Sequence, residues 1–238
     1  NFLGKTLKKI ANEKLGIVKN CDFVLVGKQK IELKDHIQKK LNKFENKYFY
    51  GKEFQVTKSL KNKFQIKLDG RKFLYTRPSL NGKHQEENAS ISIYFAKVMK
   101  KLGYKLNSKE INAAIKKTVW PGRLEIINYK NKKIILDGSH NIDGADKLNE
   151  FLKNKRIKPT VLFGMLNNKK ASLFLNKIKK RVSKVLAIKI PDEKNAFKTK
   201  QIKEICEFHS IKCEKINNIN DALKYFKSNQ QKIYLITG

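Results

Sequence analysis

Along residues 2–17, FLGKTLKKIANEKLGI, apolar side chains recur at helical spacing. Leu3, Leu7, Ile10 and Ala11 fall on one face. Lys14, three positions beyond Ala11 and four beyond Ile10, falls on that same apolar face, and Gly16 offers a stop. DFVLVG at 22–27 predicts a strand, and residues 32–44 predict a basic helix. KFQIKLDGRKFLYT at 63–76 reads as two strands joined at Asp69-Gly70, a hairpin. A long helix starts near Gln85 and ends at Gly103, and Ser108 caps a shorter one through Lys117.

WPGR at 120–123 then punctuates the chain. A domain boundary placed just before it separates residues 1–118 from residues 119–238. Beyond it the pattern changes. The hairpin LEIINYKNKKIILDG leads to a helix at 143–153, the strand TVLFGM and a helix at 170–181. The strand KVLAIKI, a helix at 199–208, a short strand near 211–214, a helix at 220–228 and the strand KIYLITG follow. Strands alternating with helices predict an α/β fold with a mostly parallel sheet covered on both faces.

Composition adjusts this picture in three ways. The chain has 238 residues, 40% of them hydrophobic, enough for a packed core in one large domain or two modest ones. No apolar run is long enough to span a membrane, no signal-peptide pattern appears, and three cysteines without metal spacing suit a reducing cytoplasm. The net charge of +33 raises the question of nucleic acid. Its lysine doublets, however, are spread over the whole length, and only five of the 54 basic residues are arginine, the favoured base and phosphate reader. Lysine, isoleucine and asparagine richness together reads as coding bias, so a nucleic-acid partner is not expected. The start at Asn1 without methionine and the stop at KIYLITG read as cuts through a longer protein.

Four places could carry chemistry. In IILDGSHNIDGA, 134–145, an apolar strand end turns abruptly polar at Asp137, His140 and Asn141. Ligands of parallel sheets bind beyond such ends, where Asp137 could accept from ribose hydroxyls and His140 and Asn141 could reach phosphate beside a helix N-terminus. The plain alternative is a strand-to-helix turn capped by Asn141. Arg123, following Pro121 and Gly122, offers a planar donor fork for phosphate or a base edge, or is a surface arginine at a hinge. Lys14, if buried on its apolar face, would lose its proton readily and could react with carbon dioxide to a carbamate suited to magnesium; otherwise it snorkels to water. Asn88 could hydrogen-bond a base or phosphate, or is an ordinary polar residue early in its helix.

LGKTLKKIANEKLGIVK, GKHQEENA, WPGRLEI, LDGSHNIDGA, LFGMLNNKK and LITG, in this order and rough spacing, resemble folylpolyglutamate synthase/dihydrofolate synthase of the Mur ligase superfamily. WPGRLE followed by LDGSHN is the most specific part. The resemblance implies the latter part of a Mur-ligase central ATPase domain over 1–118 and a Rossmann-like C-terminal glutamate ligase domain over 119–238. It implies an ATP-dependent amide ligase: a substrate carboxylate takes the γ-phosphate, and the amine of L-glutamate displaces phosphate from the resulting acyl phosphate. The substrates would be L-glutamate with dihydropteroate, folates or both, and the cofactors ATP and Mg2+. The Lys14 position would be a carbamylated lysine at magnesium. The positions of Asn88, Arg123 and Asp137 would contact ATP, with His140, beside Asn141, at the phosphates between the domains. A cytoplasmic monomer is expected.

The family's phosphate loop, of the GTNGKGS type, has no counterpart here. The magnesium-binding histidine would fall just ahead of Asn1, and LITG lacks the usual serine-tyrosine continuation. The chain therefore reads as an internal fragment that alone is expected to be inactive. Leu15, Ser139, Ile142 and the stretch Asn167-Asn168-Lys169-Lys170 also depart from the family pattern. Two other readings are kept: another Mur-type amino-acid ligase, and a basic nucleic-acid-binding protein on a degenerate ligase scaffold.

Overall fold

The computed structural model of the chain describes Gly4 and residues 6–238. Leu3, placed above on the first helix face, lies outside the described residues. The chain divides into two compact units. One comprises residues 1–79 and 83–118; the other comprises residues 119–238 together with the short excursion Leu80–Gly82.

The first unit begins with α1 (Leu7–Leu15), whose N-terminus is capped by Thr6. A parallel pair follows, β1 (Val24–Val26) and β2 (Lys47–Phe49), with α2 (Ile31–Lys40) between them. Then comes an antiparallel sheet of β3 (Phe54–Ser59), β4 (Lys63–Leu68) and β5 (Arg71–Thr76) in that order. Helices α3 (His84–Lys101) and α4 (Ser108–Lys117) complete it. Phe54, Phe64, Ile66 and Leu68 of the sheet close over Ile93, Tyr94 and Val98 of α3, because alternate strand residues share a face and α3 presents residues four or five apart.

Asp69-Gly70 makes the β4–β5 turn with both φ angles positive, 42° and 86°, as a two-residue hairpin requires. The Tyr94 hydroxyl and the Lys97 ammonium donate to the Asp69 carboxylate at 2.8 and 2.5 Å. Partial burial works against the charged carboxylate, but these two donors outweigh it and hold the Asp69 carboxyl below the usual carboxylate range. One expectation is corrected: α4 is capped by Asn107, not Ser108. The Asn107 side chain accepts from the Glu110 backbone while Glu110 reaches back to the Asn107 N–H, a reciprocal box that Ser108 is one residue too late to make.

The second unit is built on a six-stranded sheet. Its strands are β6 (Glu125–Tyr129), β7 (Lys132–Asp137), β8 (Thr160–Phe163), β9 (Lys184–Ala187), β10 (Cys213–Lys215) and β11 (Ile233–Thr237). They lie in the order β10-β9-β8-β11-β7-β6, and only β6 runs antiparallel to its neighbour. The connecting helices are α5 (Ile142–Lys155), α6 (Ala171–Ile178, continued by a 3-10 turn), α7 (Thr199–Phe208) and α8 (Ile219–Ser228).

Ile135, Val161, Phe163, Val185, Ala187 and Leu235 pack against α5, α6 and α7 on one face. Ile134, Leu162, Leu186 and Tyr234 pack with Ala222 and Phe226 of α8 on the other. Neighbours along a strand thus belong to opposite cores, which is why β8 is buried at every position and reads as an unbroken apolar run. The chain steps outward from β8 to β10 and then returns through α8 to place β11 between β8 and β7. This return is a topological switch of the kind beside which open α/β sheets bind ligands.

Candidate functional site

β7 ends at Asp137, two residues after Ile135 and therefore on the same face of the sheet. Its side chain is buried, 7% exposed. A carboxylate in such a place must be met by donors, and the backbone supplies them. The Leu124 N–H donates to Oδ2 at 3.1 Å and the Ser139 N–H to Oδ1 at 3.2 Å. Two oxygens with about four acceptor positions leave room for further donors, such as a pair of ribose hydroxyls.

The WPGR loop is folded onto this strand end. The Gly138 N–H donates to the Gly122 carbonyl at 2.7 Å, and the Gly122 N–H donates to Glu125 Oε2 at 2.9 Å. Asn81 Nδ2, from the Leu80–Gly82 excursion, donates to the Leu124 carbonyl at 2.9 Å. Gly122 and Leu124 both have positive φ, 69° and 49°. For a leucine this conformation is costly; here Leu124 is held by its hydrogen bonds and by a side chain only 3% exposed. Arg123 sits between these two residues, exposed, and makes no ion pair among the described residues. The loop is held by hydrogen bonds, and among the described residues its guanidinium has no partner.

On the other side of Asp137 the chain enters α5. Asn141 caps that helix, its Oδ1 accepting from the Gly144 N–H at 2.8 Å. Gly144 is required by packing: a Cβ there would come 2.8 Å from both Cβ and Oγ of Ser139. Thr237, the end of β11, donates from Oγ1 to the Ser139 carbonyl at 3.3 Å and so joins the neighbouring strand end to the loop. His140 is exposed, with Nδ1 3.0 Å from the Gly138 carbonyl. A carbonyl can only accept, so Nδ1 carries a proton and Nε2 is turned to other partners. The plainer of the two readings from sequence is therefore present, a turn in which Asn141 caps α5, and the same turn leaves His140 exposed at the amino end of the helix.

In the first unit, Asn88 lies early in α3 and is exposed, its Nδ2 donating to Gln85 Oε1 at 2.9 Å while Gln85 itself is buried. The neighbouring Glu86 is fully buried for a different purpose. It holds Arg77, whose Nε lies 2.9 Å from Oε1, and accepts from the Ser59 hydroxyl, tying β3 and the end of β5 to α3.

Lys14 differs from expectation. Ala11 is buried and Leu15 and Val18 are partly buried, but Lys14 is exposed. The buried line of α1 passes one step around the helix from it. Of the six expected site residues, the structure brings Arg123, Asp137, His140 and Asn141 together at one sheet edge. Asn81, Glu125 and Thr237 belong to the same assembly and were not expected. Glu125 could have been read from its spacing to Gly122; Asn81 and Thr237 carry no such signal.

Residues 122–238 match the family model described as Mur ligase, glutamate ligase domain. The dihydrofolate synthase/folylpolyglutamate synthase of Bacillus subtilis is 27% identical over 252 aligned positions, covering all of this chain and 57% of that enzyme. Among solved structures, folylpolyglutamate synthase from Thermotoga maritima is 26% identical with a TM-score of 0.76, over 99% of this chain and 56% of that one. A bifunctional folylpolyglutamate synthase/dihydrofolate synthase from Yersinia pestis, complexed with AMPPNP and a manganese ion, aligns with a TM-score of 0.80 at 17% identity. That alignment covers all of this chain and 55% of that one. The chain thus spans little more than half the length of these relatives. Residues 122–238 thus match the Mur ligase glutamate ligase domain, and the chain that carries them resembles folylpolyglutamate and dihydrofolate synthases along its whole length.

Proposed function

We propose that the protein carrying this chain is an ATP-dependent amide ligase that joins L-glutamate to dihydropteroate, to folates, or to both. The observation that carries the reading is the glutamate ligase domain match, which begins at Gly122, within the loop whose Leu124 N–H donates to Asp137. In the proposed reaction a substrate carboxylate takes the γ-phosphate of ATP. The glutamate amine then attacks the acyl carbon, loses a proton, and phosphate leaves.

This chain's residues contribute positioning and charge. Arg123 offers its donor fork to the nucleotide. Asp137 accepts from ribose hydroxyls with the oxygen positions its two backbone donors leave open. The first N–H groups of α5 and His140, when protonated at Nε2, receive phosphate oxygens. For Asn88, in the first unit, a nucleotide role rests on the family resemblance alone.

The residues fit a nucleotide better than they fit a metal. Among the described residues no group of three or more His, Cys, Asp or Glu side chains could hold a metal ion. Lys14, the expected carbamate ligand of magnesium, is exposed, and the carbamate rests on the family resemblance alone. No described helix is long and apolar enough to cross a membrane, and the free cysteines accord with a reaction in the cytoplasm.

The test is turnover by the full-length protein given ATP, Mg2+, L-glutamate and either dihydropteroate or tetrahydrofolate. Glutamate-dependent ADP release, with a product one glutamyl unit heavier, is expected for at least one of them. ADP release with another carboxylate alone would replace this reading by that of a different Mur-type ligase. No ligation with any carboxylate would end it.

A further inference from the structure

We propose that Asn81 is a positioning residue for Arg123: through the Leu124 carbonyl it fixes the backbone from which the guanidinium projects. The inference rests on the reading above, in which Arg123 meets the nucleotide.

Four successive peptide groups run through the WPGR loop, and each is held by one hydrogen bond. The Gly122 N–H goes to Glu125, and the Gly122 carbonyl receives the Gly138 N–H. The Leu124 N–H goes to Asp137, and the Leu124 carbonyl receives Asn81 Nδ2. Three of these anchors come from the loop and the β7 end themselves. The fourth comes from 43 positions upstream, from the only stretch before Thr118 that is built into the second unit.

The fourth anchor acts where the backbone most needs one. Leu124 holds φ at +49°, a conformation an L-residue leaves when its restraints are removed. Relaxation of φ at Leu124 rotates the peptide group joining it to Arg123, and with it the base of the Arg123 side chain. An arginine that binds by a planar fork is sensitive to such a rotation, because its two parallel hydrogen bonds require one orientation. Loss of Asn81 removes no strand from the six-stranded sheet and no side chain from either core, and Leu124 is the core residue that lies at the anchored peptide. The cost therefore falls on ligand binding.

The experiment is a double-mutant cycle in the full-length protein, with AMPPNP affinity measured by calorimetry for the parent, Asn81→Ala, Arg123→Ala and the double variant. Asn81→Asp is included because it keeps the size and removes the donor. Asn81→Ala and Asn81→Asp should each weaken AMPPNP binding about fivefold, the worth of one hydrogen bond. KM for ATP should rise with little change in kcat, and the thermal midpoint should stay near the parent's. In the Arg123→Ala background the same substitutions should change nothing.

An equal loss in both backgrounds would show that Asn81 acts independently of Arg123 and would overturn the proposal, as would no loss in the parent background. Amide hydrogen exchange at residues 122–125 separates the two ways of failing. Unchanged exchange in Asn81→Ala overturns the anchoring. Faster exchange, together with an Arg123→Ala variant that binds AMPPNP like the parent, overturns the nucleotide role of Arg123.

Discussion

Asp69 and Asp137 both stand at the carboxyl end of a strand, and each accepts two hydrogen bonds, but from different kinds of donor. Asp137 is met by two backbone N–H groups, Asp69 by a phenol and an ammonium. A polar residue closing an apolar strand made Asp137 visible in the sequence. Its donors were not visible, because backbone groups carry no residue identity. Lys14 shows the reverse: helical spacing put it beside apolar residues, but spacing does not say where the buried line ends.

Asp69 gives the residue-scale prediction. Its folded pKa lies below the unfolded value of about 3.8. Its stabilising contribution is therefore complete above that value and is lost as pH falls through the folded pKa. Asparagine tolerates the same positive φ. Between about pH 5 and about pH 3 the thermal midpoint of the parent should fall more steeply than that of Asp69→Asn. Parallel falls would mean that the ion pair with Lys97 contributes nothing.

Helices and the parallel strands were legible at the scale of elements because their patterns run long enough to repeat. β2 and β3 were not. β2 is three residues long, and β3 shifts register between Val56 and Lys58, which breaks the alternation a strand is read by. The beginning of α5 was legible as a polar turn, but its tightness was not. Replacing Gly144 by alanine sets a methyl group against Ser139. The cost should be about 1–3 kcal/mol in denaturant-measured stability, and Ser139→Gly in the same chain should recover most of it. Full stability of Gly144→Ala alone would show that the turn can yield.

For the whole molecule, the net charge of +33 dominates. Among the described residues few lysines are paired with carboxylates, and like charges on a folded unit repel. Added neutral salt screens that repulsion, so the thermal midpoint should rise with ionic strength. A midpoint that falls with salt would mean that the few ion pairs outweigh the repulsion.

The place of β11 has a consequence of another kind. The strand that fills the middle of the second unit's sheet is the last of its six to leave the ribosome. Until it arrives, β7 and β8 each present an unpaired edge to the nascent chain's surroundings, and both cores lack Tyr234 or Leu235. The unit cannot close progressively from its first residue. The pairings at the centre of the sheet are the last to become possible, after the strands on both sides of them have been made.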